Sequence, residues 1–103
     1  MPGSILAEMN QDGPGRISLS GDISFQNSPA LLKQSRVHFT SGGRLEISLA
    51  NVSRVDSSAV ALMLEWYRLA GGGGVDLVFT KLPQALMDLI RVFNLDSRLP
   101  IRE

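Results

Sequence analysis

The sequence contains no cysteine and a single histidine among its 103 residues. Disulfides, thiolate metal sites and cysteine nucleophiles are therefore excluded, and a zinc site would have to rely on carboxylates, which is uncommon. The lone His38 stands beside no recognisable catalytic motif, and a triad that used Ser57 would lack the glycines of a nucleophile elbow. The composition predicts a protein that is not an enzyme and that holds no metal or cofactor.

Neither sign of charge is in excess, because ten Lys and Arg residues balance ten Asp and Glu residues. Proteins that bind nucleic acid usually carry a basic excess or stripe, so nucleic acid is not an expected partner. Long apolar runs are missing as well, since the longest, residues 59–64, is far too short to span a bilayer. Residues 1–4 show no signal-peptide pattern. We expect a cytoplasmic chain with no direct membrane insertion.

The chain does have the composition of a globular domain, with 44% hydrophobic and 19% charged residues. Alternating apolar patterns predict strands, and apolar-periodic segments between turn signals predict helices. The predicted strands are 5–9, 16–20, 44–50 and 75–80, with a possible last strand at 99–101, and the predicted helices are 28–37, 57–70 and 82–94. This order predicts a single α/β domain over residues 1–103, a mixed sheet of four to five strands with three helices packed on it.

The four glycines at 71–74 follow a predicted helix and precede a predicted strand. A phosphate-binding loop has the opposite order, because it must present the N–H groups of the helix that it opens. The run therefore predicts the end of a helix and a connector.

The segment Asp56-Ser57-Ser58 stands at the start of the predicted central helix. Asp and Ser are favoured there because their oxygens accept hydrogen bonds from free helix N–H groups, and this capping alone explains their presence. A functional alternative is that Ser57 is a phosphorylation or contact site, since a helix N-terminus stabilises negative charge.

The central helix is more apolar than burial of one side requires. At 100° per residue one arc can face the sheet, namely Ala59, Val60, Met63, Leu64, Trp66, Tyr67 and Ala70. The opposite arc contains Ser58, Ala61, Leu62, Glu65, Arg68 and Leu69. We predict a partner-binding surface made of Asp56, Ser57, Ser58, Ala61, Leu62, Glu65 and Leu69.

These features resemble the STAS domain family, the fold of bacterial anti-sigma-factor antagonists, over nearly the whole chain. The resemblance rests on the strand 45–49, the segment Val52-Ser53-Arg54-Val55-Asp56-Ser57-Ser58-Ala59, the apolar helix after it, and a closing amphipathic helix. In the family, the hydroxyl residue just after the Asp is the regulatory position, which corresponds to Ser57. The resemblance implies that the chain has the STAS fold and does not catalyse a reaction.

Within the family the chain is most similar to the MlaB type, on residues 55–66 and 89–95. That similarity implies an accessory subunit that binds the ATPase of a phospholipid ABC transporter of the Mla type. Such a subunit supports the transporter's assembly or activity, maintains outer-membrane lipid asymmetry, and lies in the cytoplasm, peripheral to the inner membrane through its partner.

The alternative is an anti-sigma-factor antagonist that binds an anti-sigma factor kinase and is switched by phosphorylation at Ser57. Two residues depart from the family pattern. Ala59 stands where Gly is common, and Ser24 stands where kinase-switched antagonists usually carry an acidic residue. The second departure favours a constitutive docking surface over a phosphorylation switch.

Overall fold

The computed structural model describes residues 8–40 and 42–102. Strand β1 forms a hairpin with β2, after which helices and strands alternate to the end of the described chain. A short 3-10 helix, Arg36–Phe39, follows α1. The elements are β1 Glu8–Gly13, β2 Arg16–Ile23, α1 Ser28–Ser35, β3 Gly43–Val55, α2 Ser57–Gly73, β4 Val75–Thr80, α3 Gln84–Val92 and β5 Ile101–Arg102.

The five strands of the described residues lie in one mixed sheet in sequence order, β1-β2-β3-β4-β5. Strand β1 is antiparallel to β2, whereas β2, β3, β4 and β5 are parallel to one another. Each helix joins one parallel strand to the next in the same direction along the sheet. Because such crossovers are right-handed, all three helices pack on the same face. The predicted α/β fold of a mixed sheet with three helices is confirmed.

The core lies between the sheet and these helices. Ile17, Ile47 and Phe79 are neighbours across β2, β3 and β4, and each is completely buried. The ring of Trp66 from α2 packs beside Phe79, with the two ring centroids 6.2 Å apart. The other face of the sheet is polar, and Glu46 there accepts a hydrogen bond from Thr80 Oγ1 at 2.8 Å. Helix α2 thus packs directly on the centre of the sheet.

Strand β3 is longer than its prediction because it contains two bulges. The pairing with β2 runs from Arg16↔Glu46 to Ile23↔Val55, and the register shifts twice on the way. Each shift adds one residue to β3 and bends the strand. The bulges break the alternating pattern after Leu49, and this is why the sequence pattern predicted a strand end at residue 50. The extended strand delivers Asp56 to the start of α2.

Smaller differences concern the ends of the elements. Helix α1 begins at the predicted Ser28, after the N-cap residue Asn27, whose side chain makes no capping hydrogen bond. Helix α2 continues to Gly73, and Gly74 caps it in the left-handed conformation at φ 66°. Most of the predicted strand 5–9 lies outside the described residues, and β1 is assigned from Glu8 onward.

Candidate functional site

Asp56 connects two segments at the start of α2. Its Oδ1 accepts the backbone N–H of Ser58 at 2.9 Å, which is an N-cap, and also accepts the Ser58 hydroxyl. Its Oδ2 accepts the backbone N–H of Phe25 at 3.4 Å, from the loop between β2 and α1. One carboxylate therefore fixes both the first turn of the helix and the loop that carries Phe25.

The ionised form of Asp56 is favoured by these contacts. Partial burial on its own would raise the pKa of this carboxyl. The hydrogen bonds from the side chain and backbone of Ser58 and from the backbone of Phe25 act in the opposite direction. Their sum lowers the pKa below its ordinary value of 3.8, because each donor stabilises the carboxylate. The cap is thus charged at neutral pH.

Next to this cap, Ser57, Ala61 and Leu64 form an exposed ridge along α2, which we call the docking ridge. The spacing i, i+4, i+7 places them on one side of the helix. Two exposed phenylalanines flank the ridge, Phe25 on the α1 side and Phe93 on the α3 side, and they are 68% and 49% exposed. Aromatic side chains are enriched at the centre of protein interfaces.

A groove runs along each side of the docking ridge. The groove towards α1 has a volume of about 360 Å³ and is lined by residues that include Phe25, Pro29, Leu32 and Leu62. The groove towards α3 has a volume of about 320 Å³ and is lined by Ser57, Val60, Ala61, Leu64, Phe93 and Leu95. Ser57 and Ala61 line both grooves, so they form the crest between two mainly apolar depressions.

The predicted outer arc of α2 requires a correction. Leu62 and Ser58 are each only 4% exposed, so the prediction that they lie on an open face is wrong. Leu69 is half-buried and packs against the core. Leu64 and Tyr67, which were assigned to the sheet side, are exposed. The reason is that α2 lies between α1 and α3, so its buried side extends beyond the arc that faces the sheet and includes Leu62.

The other predicted surface residues are accessible to different degrees. Ser57 and Ala61 are exposed, and Glu65 is half-buried and lines the α1-side groove. Glu65 Oε2 forms an ion pair with Arg68 Nη2 at 2.8 Å. Phe25 and Phe93 were missed by the sequence analysis. The isolated apolar Phe25 in an otherwise polar loop was the one available signal.

The arrangement around Ser57 does not resemble a hydrolytic site. His38 lies in the 3-10 helix, whose Phe39 carbonyl is so close to Gly73 that an added Cβ would lie 1.9 Å from it. This contact is at the end of α2, about 24 Å along the helix axis from Ser57 at 1.5 Å per residue. Within residues 8–40 and 42–102, no group of three or more His, Asp or Glu side chains could hold a metal ion.

The sheet topology also bears on ligand binding. In open α/β sheets, ligands bind beyond the carboxyl ends of the strands at the point where the strand order reverses. The order of the five described strands never reverses. In the same part of the chain, no helix is long and apolar enough to cross a membrane. The two apolar grooves beside the docking ridge make the exposed surface of α2 and its flanking loops a candidate for function.

Comparison with known families identifies the chain. Residues 6–102 match the family model described as "Mlab, STAS domain". The match covers nearly the entire sequence, and the chain therefore belongs to the STAS domain family. Comparison with curated proteins gives no significant sequence match.

Solved structures share the fold at low sequence identity. An anti-sigma factor antagonist from Mycobacterium paratuberculosis superposes with a TM-score of 0.77 at 23% identity, over 93% of this chain and 85% of that one. A chain of the Acinetobacter MlaFEDB complex in its ATP-bound Vtrans2 conformation gives 0.76 at 19% identity, over 95% and 100%. The anti-sigma factor antagonist SpoIIAA in its unphosphorylated form gives 0.71 at 10% identity, over 95% and 89%. The resemblance to the STAS family is confirmed.

Proposed function

We propose that this STAS domain is a non-catalytic accessory subunit that binds the ATPase of an Mla-type phospholipid ABC transporter through the docking ridge. The observation that carries the proposal is the crest of Ser57 and Ala61 between two apolar grooves, with exposed Phe25 and Phe93 on its flanks. Burying such aromatic side chains in a partner contributes strongly to binding. The match to the MlaB-type family model supports the choice of partner.

The proposed role explains why the site lacks reactive groups. Among the described residues, the Ser57 hydroxyl makes no hydrogen bond to a base, and the Asp56 carboxylate is engaged by Ser58 and Phe25. A docking surface needs only a fixed shape and an apolar centre with a polar rim. Asp56 supplies the fixed shape, and the Glu65–Arg68 ion pair lies at the edge of the α1-side groove. In this role the domain would sit in the cytoplasm, peripheral to the inner membrane through its partner, and would support transport that maintains outer-membrane lipid asymmetry.

The test is affinity purification of the tagged chain from its native cells. The wild type should recover an ABC-type ATPase, and Ala61→Asp should lose most of it, because a carboxylate on the crest would be desolvated without a partner. Ala30→Asp is the matched control, since Ala30 is also an exposed helical alanine but lines neither groove. Recovery of no ATPase by the wild type, or equal recovery by both variants, would contradict the proposal.

The second candidate function is an anti-sigma-factor antagonist switched by phosphorylation at Ser57. It is favoured by the exposure of Ser57 at the first turn of α2, where the positive end of the helix dipole would stabilise a phosphate. Two features oppose it. The Asp56 carboxylate already accepts the Ser58 N–H, and it would repel a phosphate on the adjacent residue. Ser24 leaves the neighbouring loop without the acidic residue that kinase-switched antagonists usually carry there.

Intact-mass measurement of the protein from native cells separates the two candidates. The antagonist predicts a phosphorylated fraction that disappears in Ser57→Ala and a kinase that co-purifies with the chain. The accessory subunit predicts an unmodified population and recovery of an ATPase.

A further inference from the structure

A second cavity lies away from the docking ridge, between the ends of β4 and β5 and helix α3. Its volume is about 440 Å³, within the range of small-molecule sites. It shares no residue with the docking ridge or with either groove. The lining residues are Thr80, Lys81, Leu82, Gln84, Met87, Arg91, Ile101 and Arg102.

In the described part of the chain, the charged groups around this cavity have one sign. Lys81, Arg91 and Arg102 line it, and no carboxylate of residues 8–40 and 42–102 does. Arg102 is shared with Glu46, whose Oε1 lies 3.2 Å from its Nη2. Among the described residues, no carboxylate lies within 4 Å of Lys81 or Arg91. Two cations therefore face a concave surface without a counter-charge from that part of the chain.

One nearby acid could have balanced Arg91, namely Asp88, one turn earlier on α3. Its Oδ1 instead accepts a hydrogen bond from Gln84 Nε2 at 2.8 Å. The carboxylate is thus turned towards the start of the helix, and it does not line the cavity.

Apolar side chains complete the cavity. Leu82, Met87 and Ile101 are half-buried and line it together with the cations. A site for inorganic anions alone would not need these apolar side chains. A purely apolar ligand would leave the cations unpaired. The flexible Met87 side chain can adapt to an irregular aliphatic shape.

We propose that this cavity binds an amphiphilic anion, a phosphate or carboxylate group attached to an aliphatic chain. Lys81 and Arg91 bind the anionic group, and Leu82, Met87 and Ile101 contact the first carbons of the chain. The ligand is either a free amphiphile or the exposed headgroup of a bilayer lipid, and the experiment below separates these sources.

Lys81 allows a test that is independent of folding. Its backbone has a φ of 57°, a left-handed conformation that is strained for any residue with a Cβ atom. Glycine adopts this conformation without that cost. Lys81→Gly therefore removes the charge while the melting temperature should stay the same or rise.

The experiment is a chemical-shift titration of the full chain with decyl phosphate below its micelle concentration. We expect saturable shifts at the amides that line the cavity, and binding at least tenfold weaker in Lys81→Gly and Arg91→Ala. Arg98→Ala, which removes an exposed cation outside the cavity, should change the affinity less than twofold. Inorganic phosphate should bind at least tenfold more weakly than decyl phosphate, because it lacks the aliphatic chain.

Competition then identifies the source of the ligand. Displacement of decyl phosphate by phosphatidylglycerol vesicles, but not by phosphatidylcholine vesicles, would assign the site to lipid headgroups. Retention of decyl phosphate would assign it to a free amphiphile. Four results would overturn the proposal: wild-type affinity in Lys81→Gly, equal binding of decyltrimethylammonium, shifts centred on the docking ridge, or vesicle binding without decyl phosphate binding.

Discussion

The indole Nε1–H of Trp66 donates a hydrogen bond of 2.6 Å to Ser35 Oγ and so joins α2 to the end of α1 inside the core. The Ser35 hydroxyl in turn donates to the carbonyl of Leu32 at 2.8 Å. Trp66 and Ser35 are both completely buried. The pair fixes the position of α1, and with it one wall of the α1-side groove.

Ser35→Ala should destabilise the protein by about 1–3 kcal/mol, because the buried indole N–H loses its acceptor and cannot reach water. Urea denaturation followed by circular dichroism measures this loss. Ser53→Ala, an exposed serine of β3, is the control and should change the free energy of unfolding by less than about 0.5 kcal/mol. Equal stability of the two variants would contradict the assigned role of the bond.

Substitutions at the adjacent positions 61 and 62 of α2 should affect the stability of the fold differently. Leu62→Ala should cost about 2–5 kcal/mol, because it removes a side chain that packs in the core. Ala61→Asp should leave the fold intact, because Ala61 is exposed. Melting temperatures from thermal denaturation distinguish these two variants. A Leu62→Asp variant that still folds would show that Leu62 is not buried. Partner capture must therefore be tested at Ala61, where loss of binding is not loss of folding.

The glycines at the end of α2 should not be equivalent. An added Cβ at Gly72 meets nothing within 4 Å, so Gly72→Ala should stabilise the protein by about 0.5–1 kcal/mol through the higher helix propensity of alanine. At Gly73 the same Cβ would lie 1.9 Å from the carbonyl oxygen of Phe39, so Gly73→Ala should destabilise it. Melting temperatures that move in the same direction for both variants would refute this distinction.

Asp56→Asn should lower the stability at pH 7, and the difference from the wild type should narrow on acidification. The pKa of Asp56 is lower in the folded state, so its ionisation stabilises the fold above the ordinary, unfolded-state pKa of 3.8. That contribution is lost as the pH falls through the lower, folded-state pKa. Denaturant titrations between pH 7 and pH 2.5 measure the difference.

The comparison also controls for a second acid. Glu46 has a lowered pKa because Thr80 donates to it and because Arg16 and Arg102 lie nearby, against the opposing effect of burial. It is present in both proteins, so its acid dependence cancels. A wild-type-to-variant difference that stayed constant with pH would rule out the assigned stabilisation of the Asp56 carboxylate.

The sequence predicted the elements whose patterns are regular. Strand β4 has the predicted bounds, Val75–Thr80, because its apolar run is bounded by glycines and by Lys81. Helix α3 is amphipathic as predicted, with Leu86 and Ile90 completely buried. In these segments the local pattern and the tertiary packing impose the same arrangement.

The site was predicted in part. Asp56 and Ser57 follow from capping chemistry and position, which are local properties of the chain. The exposed side of α2 could not be derived in the same way, because the packing of α1 and α3 on either side of it decides whether Leu62 or Leu64 is covered. The position of Phe93 could not be predicted either, because its place beside the docking ridge depends on where α3 ends relative to α2.

The two bulges of β3 have a consequence for how the start of α2 can change its position. Side chains of a strand alternate between faces, but each bulge takes up one extra residue of β3 without changing the face on which the following residues pair. Val52 lies opposite Gly21 after the first bulge, and Val55 lies opposite Ile23 after the second. Deleting one residue at a bulge should thus be less harmful than deleting one from the regular pairing at Glu46–Ser48, which would turn the neighbouring side chains to the wrong face. The distance from the sheet to the helix cap can therefore be tuned in single-residue steps at the bulges, of roughly 3.3 Å each.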